Sequence, residues 1–137
     1  HNGMEITTQI AKDRDFKGLC FVNLADFDVL YGHRRNPIGY GKSLEEFDAD
    51  LKNLMKELKE DDLLMITADH GNDPTWWGTD HTRERVPLIS YSKRYNNGRK
   101  LQEVSTFGCM GKTILKNFNV KPSPNEIGYS IDELLDF

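Results

Sequence analysis

The chain has 137 residues, 37% of them hydrophobic and 29% charged, and a formal net charge of −4. That length suits one domain with a modest core, the acidic balance argues against nucleic acid or an anionic membrane surface as a partner, and no apolar run reaches bilayer-spanning length. Cys20 and Cys109 match no zinc or redox spacing, so both are expected to be buried thiols of a cytoplasmic protein. No signal-peptide pattern opens the chain, and the start His1-Asn2-Gly3-Met4, with its internal methionine, points to a piece of something longer.

Taken in order, residues 4–15 carry Met4, Ile6, Ile10 and Ala11 among polar residues, a weak helix. Gly18-Leu19-Cys20-Phe21-Val22-Asn23-Leu24 is a short apolar run and predicts a buried strand. Ser43 and Glu46 form a capping box ahead of Leu44, Phe47, Leu51, Leu54, Met55 and Leu58, whose spacing predicts a helix over about residues 44–60. After Asp61-Asp62, Leu63 to Ala68 predicts a second buried strand, and Val86 to Tyr91 a third beyond a polar, aromatic loop. Lys93 to Lys100 contains Asn96-Asn97-Gly98, a surface turn. Phe107, Met110, Ile114, Leu115 and Phe118 predict a helix near 105–118, stopped by Pro122 and Pro124, and Ile127 to Phe137 forms a tail with a final helical turn. The alternation predicts an α/β fold, a mostly parallel sheet with flanking helices. Three strands make a thin sheet with exposed edges, through which copies of the chain could self-associate.

The chemistry sits at the strand ends. Asp28 and His33 follow the first predicted strand, Asp69 and His70 follow the second, and His81 lies in the loop beyond. In open α/β sheets functional groups gather past the carboxyl ends of the strands, so these five residues are expected to converge on a metal site. Carboxylate and imidazole without thiolate suit manganese, zinc, magnesium or iron. Gly71 would let the backbone turn sharply or approach an ion. Asp26 and Asp28 alternate with Phe27, so one of the pair need face the site. Trp76 and Trp77 are expected to pack the loop. Arg34 and Arg35 are either solvated or, beside a metal site, holders of phosphate.

These residues also carry a resemblance. Asp26-Phe27-Asp28-Val29-Leu30-Tyr31-Gly32-His33-Arg34-Arg35, Thr67-Ala68-Asp69-His70-Gly71, Asp73-Pro74-Thr75-Trp76 and Gly78-Thr79-Asp80-His81-Thr82-Arg83-Glu84 resemble the phosphopentomutases of the alkaline-phosphatase superfamily. The resemblance covers essentially the whole chain. It implies an isomerase interconverting ribose or deoxyribose 1-phosphate and 5-phosphate through a phosphothreonine enzyme, with a sugar bisphosphate activator and two Mn²⁺ ions. By similarity Asp28, His33 and His81 hold one ion, and Asp69 with His70 holds part of the other. Residues 1–137 would then be the carboxyl-terminal segment of the metal-binding core domain, without the cap domain and the amino-terminal core segment, which carries another metal aspartate. Thr67, Thr75, Thr79 and Thr82 do not match the nucleophile's motif, so no catalytic residue is assigned and the chain alone is expected to be inactive, with at most one well-formed metal site. The Asp-His-Gly piece is shared with related phosphatases and phosphoglycerate mutases, which stand as alternatives beside a non-enzymatic metal-binding domain.

Overall fold

The computed structural model describes residues 2–136. Helix α1 spans Asn2–Asp13 and α2 spans Pro37–Glu57; strands β1 (Leu64–Thr67) and β2 (Leu88–Tyr91) follow, then α3 (Gly108–Asn117) and a short 3₁₀ turn, Asp132–Leu134. A six-residue π-helical turn, Phe27–Gly32, precedes α2.

The two strands pair antiparallel, Leu64 opposite Tyr91 and Thr67 opposite Leu88. Side chains alternate across a strand, so Leu64 and Tyr91 face one layer while Met65 and Leu88 face the other. The first layer is a core of Met4, Ala11, Leu54 and Leu58 from α1 and the end of α2, with Leu24, Phe47 and Leu51 against it. The second is built on Cys109, Ile131 and Leu134, joined by Leu101 and Val104. Helices thus cover both faces of a small sheet, a mixed α/β arrangement. The tail is tied down by polar bonds: the Ile131 amide donates to the Thr113 hydroxyl (2.9 Å), and the Tyr95 hydroxyl donates to the Leu134 carbonyl (2.9 Å).

Several expectations need correcting. The parallel pairing expected for the sheet is absent among the described residues, whose sheet has two antiparallel strands. Parallel neighbours need a crossover, usually a helix. Residues 68–87 contain no helix and instead turn back on themselves through an isolated bridge between Gly71 and Thr82. The apolar run 18–24 is not a strand. Leu19 and Phe21 are exposed, Phe21 at 84%, because a strand exists only through a ladder partner and none lies beside this run among the described residues. Cys20 is accordingly exposed, whereas Cys109 is fully buried.

Helix α2 starts one and a half to two turns before the predicted Ser43 box. Asn36 is its cap, its side chain accepting from the Gly39 amide (2.9 Å), and Pro37 at the first helical position brings its φ already set. That pair overrides Ser43, which lies inside the helix. At the other end the Lys93 ammonium donates to the Leu58 carbonyl, placing a cation where the helix dipole favours one. Among the described residues both strands are edge strands of a two-stranded sheet, and no helix is long and apolar enough to cross a membrane.

Candidate metal centre

The π-helical turn shapes the site first. Its i→i+5 spacing lets the His33 amide donate to the Asp28 carbonyl (2.9 Å) and the Asn36 amide to that of Tyr31 (2.9 Å). Asp28 and His33 therefore lie one wide turn apart, and single π turns inside helices recur at functional sites. Phe27 anchors the turn on α2, its ring 5.5 Å from that of Tyr40 and 6.2 Å from that of Phe47. Gly32 is buried beneath Asn72, where a Cβ would lie 2.6 Å from the amide nitrogen, so only glycine lets the loop pass this close.

The loop beyond β1 brings the other imidazoles. His33 Nε2 lies 3.4 Å from Asp28 Oδ2, His81 Nε2 lies 3.5 Å from Asp28 Oδ1, and the two Nε2 atoms are 3.1 Å apart. Asp28, His33 and His81 can each offer one donor atom to a common point, all within 4.8 Å of one another. Ligands about 2.0–2.2 Å from an ion sit about 3.0–3.5 Å from each other in octahedral or tetrahedral arrangement, so these separations fit a divalent cation. His33 Nδ1 is 2.5 Å from the Thr79 carbonyl. A proton on Nδ1, donated there, leaves the Nε2 lone pair toward the centre.

His70 stacks on His81, ring centroids 3.7 Å apart at 20°, with its Nδ1 3.3 Å from the Gly71 carbonyl. Asp69 Oδ1 is 3.6 Å from His70 Nε2, and the Asp69 side chain is 86% exposed. The structure thus gathers Asp28, His33 and His81, sets His70 against them, and leaves Asp69 facing outward. Asp26 is exposed. Trp76 and Trp77, expected to pack the loop, are exposed instead, at 53% and 81%.

Burial by itself would raise the Asp28 pKa. The hydrogen bond from Asn72 and the charges of His33, His70 and His81 outweigh it and hold the carboxyl below its ordinary 3.8. Tyr40 is pushed up by burial and by the Asp28 charge, which keeps it a neutral phenol. The result is a carboxylate held ionised, as a cation site requires.

Two polar side chains that sequence reasoning passed over organise the loop. Asn72 Nδ2 donates to Asp28 Oδ1 (2.6 Å). The Thr82 hydroxyl accepts from the Asp73 amide (2.6 Å) and donates to Glu84 Oε2 (2.5 Å). Their only sequence signal was nearness to the ligands, which many loop residues share. Arg35 is turned into the loop rather than into solvent, while Arg34 is exposed.

The sequence profile of the Metalloenzyme superfamily matches residues 1–122. The chain belongs to the Metalloenzyme superfamily. Among curated relatives it is similar to a phosphopentomutase of Clostridium tetani, 55% identical over 98% of this chain and 33% of that protein. It is likewise similar to a phosphopentomutase of Agathobacter rectalis, 57% identical over 98% of the chain and 34% of the relative, and to one of Limosilactobacillus reuteri, 56% identical over 88% and 30%. The chain spans about a third of the length of the curated relatives it matches. Membership of the Metalloenzyme superfamily agrees with a donor set of one carboxylate and two imidazoles.

Proposed function

We propose that this chain is the metal-holding, carboxyl-terminal part of the core domain of a cytoplasmic phosphopentomutase with an alkaline-phosphatase-like fold, which interconverts ribose or deoxyribose 1-phosphate and 5-phosphate. The observation that carries this is the convergence of Asp28, His33 and His81 on one point, in a chain 55% identical to phosphopentomutases over nearly its whole length. Asp28, His33 and His81 are the ligands of one Mn²⁺, and Asp69 with His70 contributes to a second. A bound divalent ion supplies positive charge against the oxygens of a transferring phosphoryl group, which an acidic chain needs to accept a dianionic sugar phosphate.

The chain's own residues prepare that site. The depressed Asp28 pKa keeps a carboxylate present across the neutral range. The Thr79 carbonyl orients the His33 ring through Nδ1, and stacking on His70 restrains the His81 ring. None of the threonines near the ligands is assigned the phosphorylated role, so group transfer belongs to the whole protein and not to these residues alone.

Titrating Mn²⁺ into the 137-residue chain and into a His33→Ala variant tests the site: binding is expected in the first and at least tenfold weaker in the second. Assaying the whole gene product with ribose 5-phosphate and with phosphoglycerate tests the reaction. Unchanged Mn²⁺ binding in His33→Ala, or turnover of phosphoglycerate alone, would overturn the proposal.

A further inference from the structure

Arg35 sits two residues past His33, with a positive φ of 50°, a conformation that side chains other than glycine and asparagine rarely adopt. Its guanidinium is not free to meet a phosphate. Nε donates to the Gly78 carbonyl (2.5 Å) and Nη2 to the Asp80 carbonyl (2.6 Å). Nη1 is shared among the Gly32 carbonyl (3.0 Å), Asn72 Oδ1 (2.6 Å) and the Asp73 carbonyl (2.8 Å). With five N–H donors in a rigid fork, Arg35 has at most one left over.

What those acceptors are matters more than their number. Gly32 immediately precedes His33, and Asp80 immediately precedes His81. Asn72, which accepts from Arg35 through its oxygen, donates through its nitrogen to Asp28 Oδ1 (2.6 Å). One planar group therefore grips the residue before each imidazole and, through one intervening amide, the carboxylate. The ligands come from two segments some fifty positions apart, Asp28 with His33 on one and His81 on the other, and this fork bonds to both of them and to Asn72 between.

We propose that Arg35, acting partly through Asn72, is the positioning residue of the Asp28–His33–His81 centre: it sets the separation of the ligands before any ion arrives. The inference rests on the metal-site reading above. It has a distinctive sign. A cation beside a cation site repels the incoming ion, so if charge were all that Arg35 contributed, removing it would tighten binding. A positioning role requires the reverse, because ligands released from their supporting partners lose affinity by about 10- to 100-fold.

The test uses Mn²⁺ alone, titrated into the full chain and followed by the electron paramagnetic resonance of the free ion. Arg35→Gly removes the fork while keeping a backbone that accepts positive φ without strain. Arg35→Lys keeps the charge but not the fork. Both are expected to bind Mn²⁺ about 10- to 100-fold more weakly than the wild type, and Arg35→Gly combined with Asn72→Ala should lose less than the product of the two single losses. The visible bands of Co²⁺ at saturation should shift in Arg35→Gly as the ligand arrangement changes, a signature that simple loss of stability would not produce. If Arg35→Gly does not fold, Arg35→Lys decides the matter alone. Wild-type or tighter Mn²⁺ binding in a folded Arg35 variant would overturn the positioning role and leave the metal site standing. Mn²⁺ binding that His33→Ala leaves unchanged would overturn both.

Discussion

Replacing Gly71 by alanine should weaken the metal centre without touching a ligand. Gly71 forms the bridge with Thr82 that closes the loop carrying His81, its carbonyl accepting from the Thr82 amide at 3.1 Å. A Cβ there would lie 2.8 Å from the Glu84 backbone nitrogen, 3.0 Å from the Thr82 carbonyl oxygen and 2.4 Å from Glu84 Oε2. The carboxylate can swing away; the two backbone atoms cannot, short of opening the bridge by several tenths of an ångström. Overpacking of this kind costs about 1–3 kcal/mol. If the cost falls on the closed loop, the binding-competent population drops by the same free energy, and at 1.4 kcal/mol per tenfold Mn²⁺ affinity falls by about 5- to 100-fold. Gly111→Ala is the matched control: nothing lies within 4 Å of its Cβ, it sits inside α3, and alanine there should stabilise the helix by about 0.5–1 kcal/mol with Mn²⁺ binding unchanged. Calorimetric titration of both variants, beside their thermal midpoints, reads the contrast. Gly71→Ala binding Mn²⁺ as tightly as Gly111→Ala would refute the account of the loop.

Two further outcomes concern the tail. Thr113 is fully buried, donating to the Cys109 carbonyl at 2.7 Å and accepting from the Ile131 amide at 2.9 Å, so the near-isosteric Thr113→Val strands a buried N–H at a net cost of about 1–2 kcal/mol. For a chain of this length that lowers the thermal midpoint by about 5 °C, whereas Thr113→Ser keeps the bond; a valine variant melting with the wild type would count against the tie. Asp132 is held below its ordinary 3.8 chiefly by the hydrogen bond from Lys116, whose Nζ lies 2.6 Å from Oδ2. A carboxyl depressed in the folded state adds stability that is complete above pH 3.8 and disappears as the pH falls through the lower, folded value. The protection of the amides of residues 131–135, measured by exchange relative to the intrinsic rate at each pH, should therefore fall below about pH 3.8 in the wild type and depend less on pH in Lys116→Ala.

The candidate metal donors were legible in the sequence because histidine is rare in this chain, four in 137 residues, and three of the four stand in recognisable strings with aspartate. Asp28, His33, Asp69, His70 and His81 could be named from type and order alone, and so could the apolar stripe of α2 and the run that became β1. The start of α2 lies ahead of the Ser43–Glu46 box because the folded helix is capped by Asn36 with Pro37 behind it, which leaves Ser43 inside the helix. The run 18–24 had the composition of a buried strand, but composition does not supply the neighbour that makes a strand.

By itself, then, the sequence determined which groups could bind a cation and roughly where helices and the β1 and β2 segments fall, since both follow from side-chain chemistry and local periodicity. Tertiary structure alone decided that Asp28, His33 and His81 meet while Asp69 turns outward, that β1 and β2 run antiparallel, and that Arg35 faces the loop and not the solvent. Each of those depends on contacts between residues some twenty to fifty positions apart, set by a π-helical turn, a bridge at Gly71 and one guanidinium, and no local pattern in the chain encodes such distances.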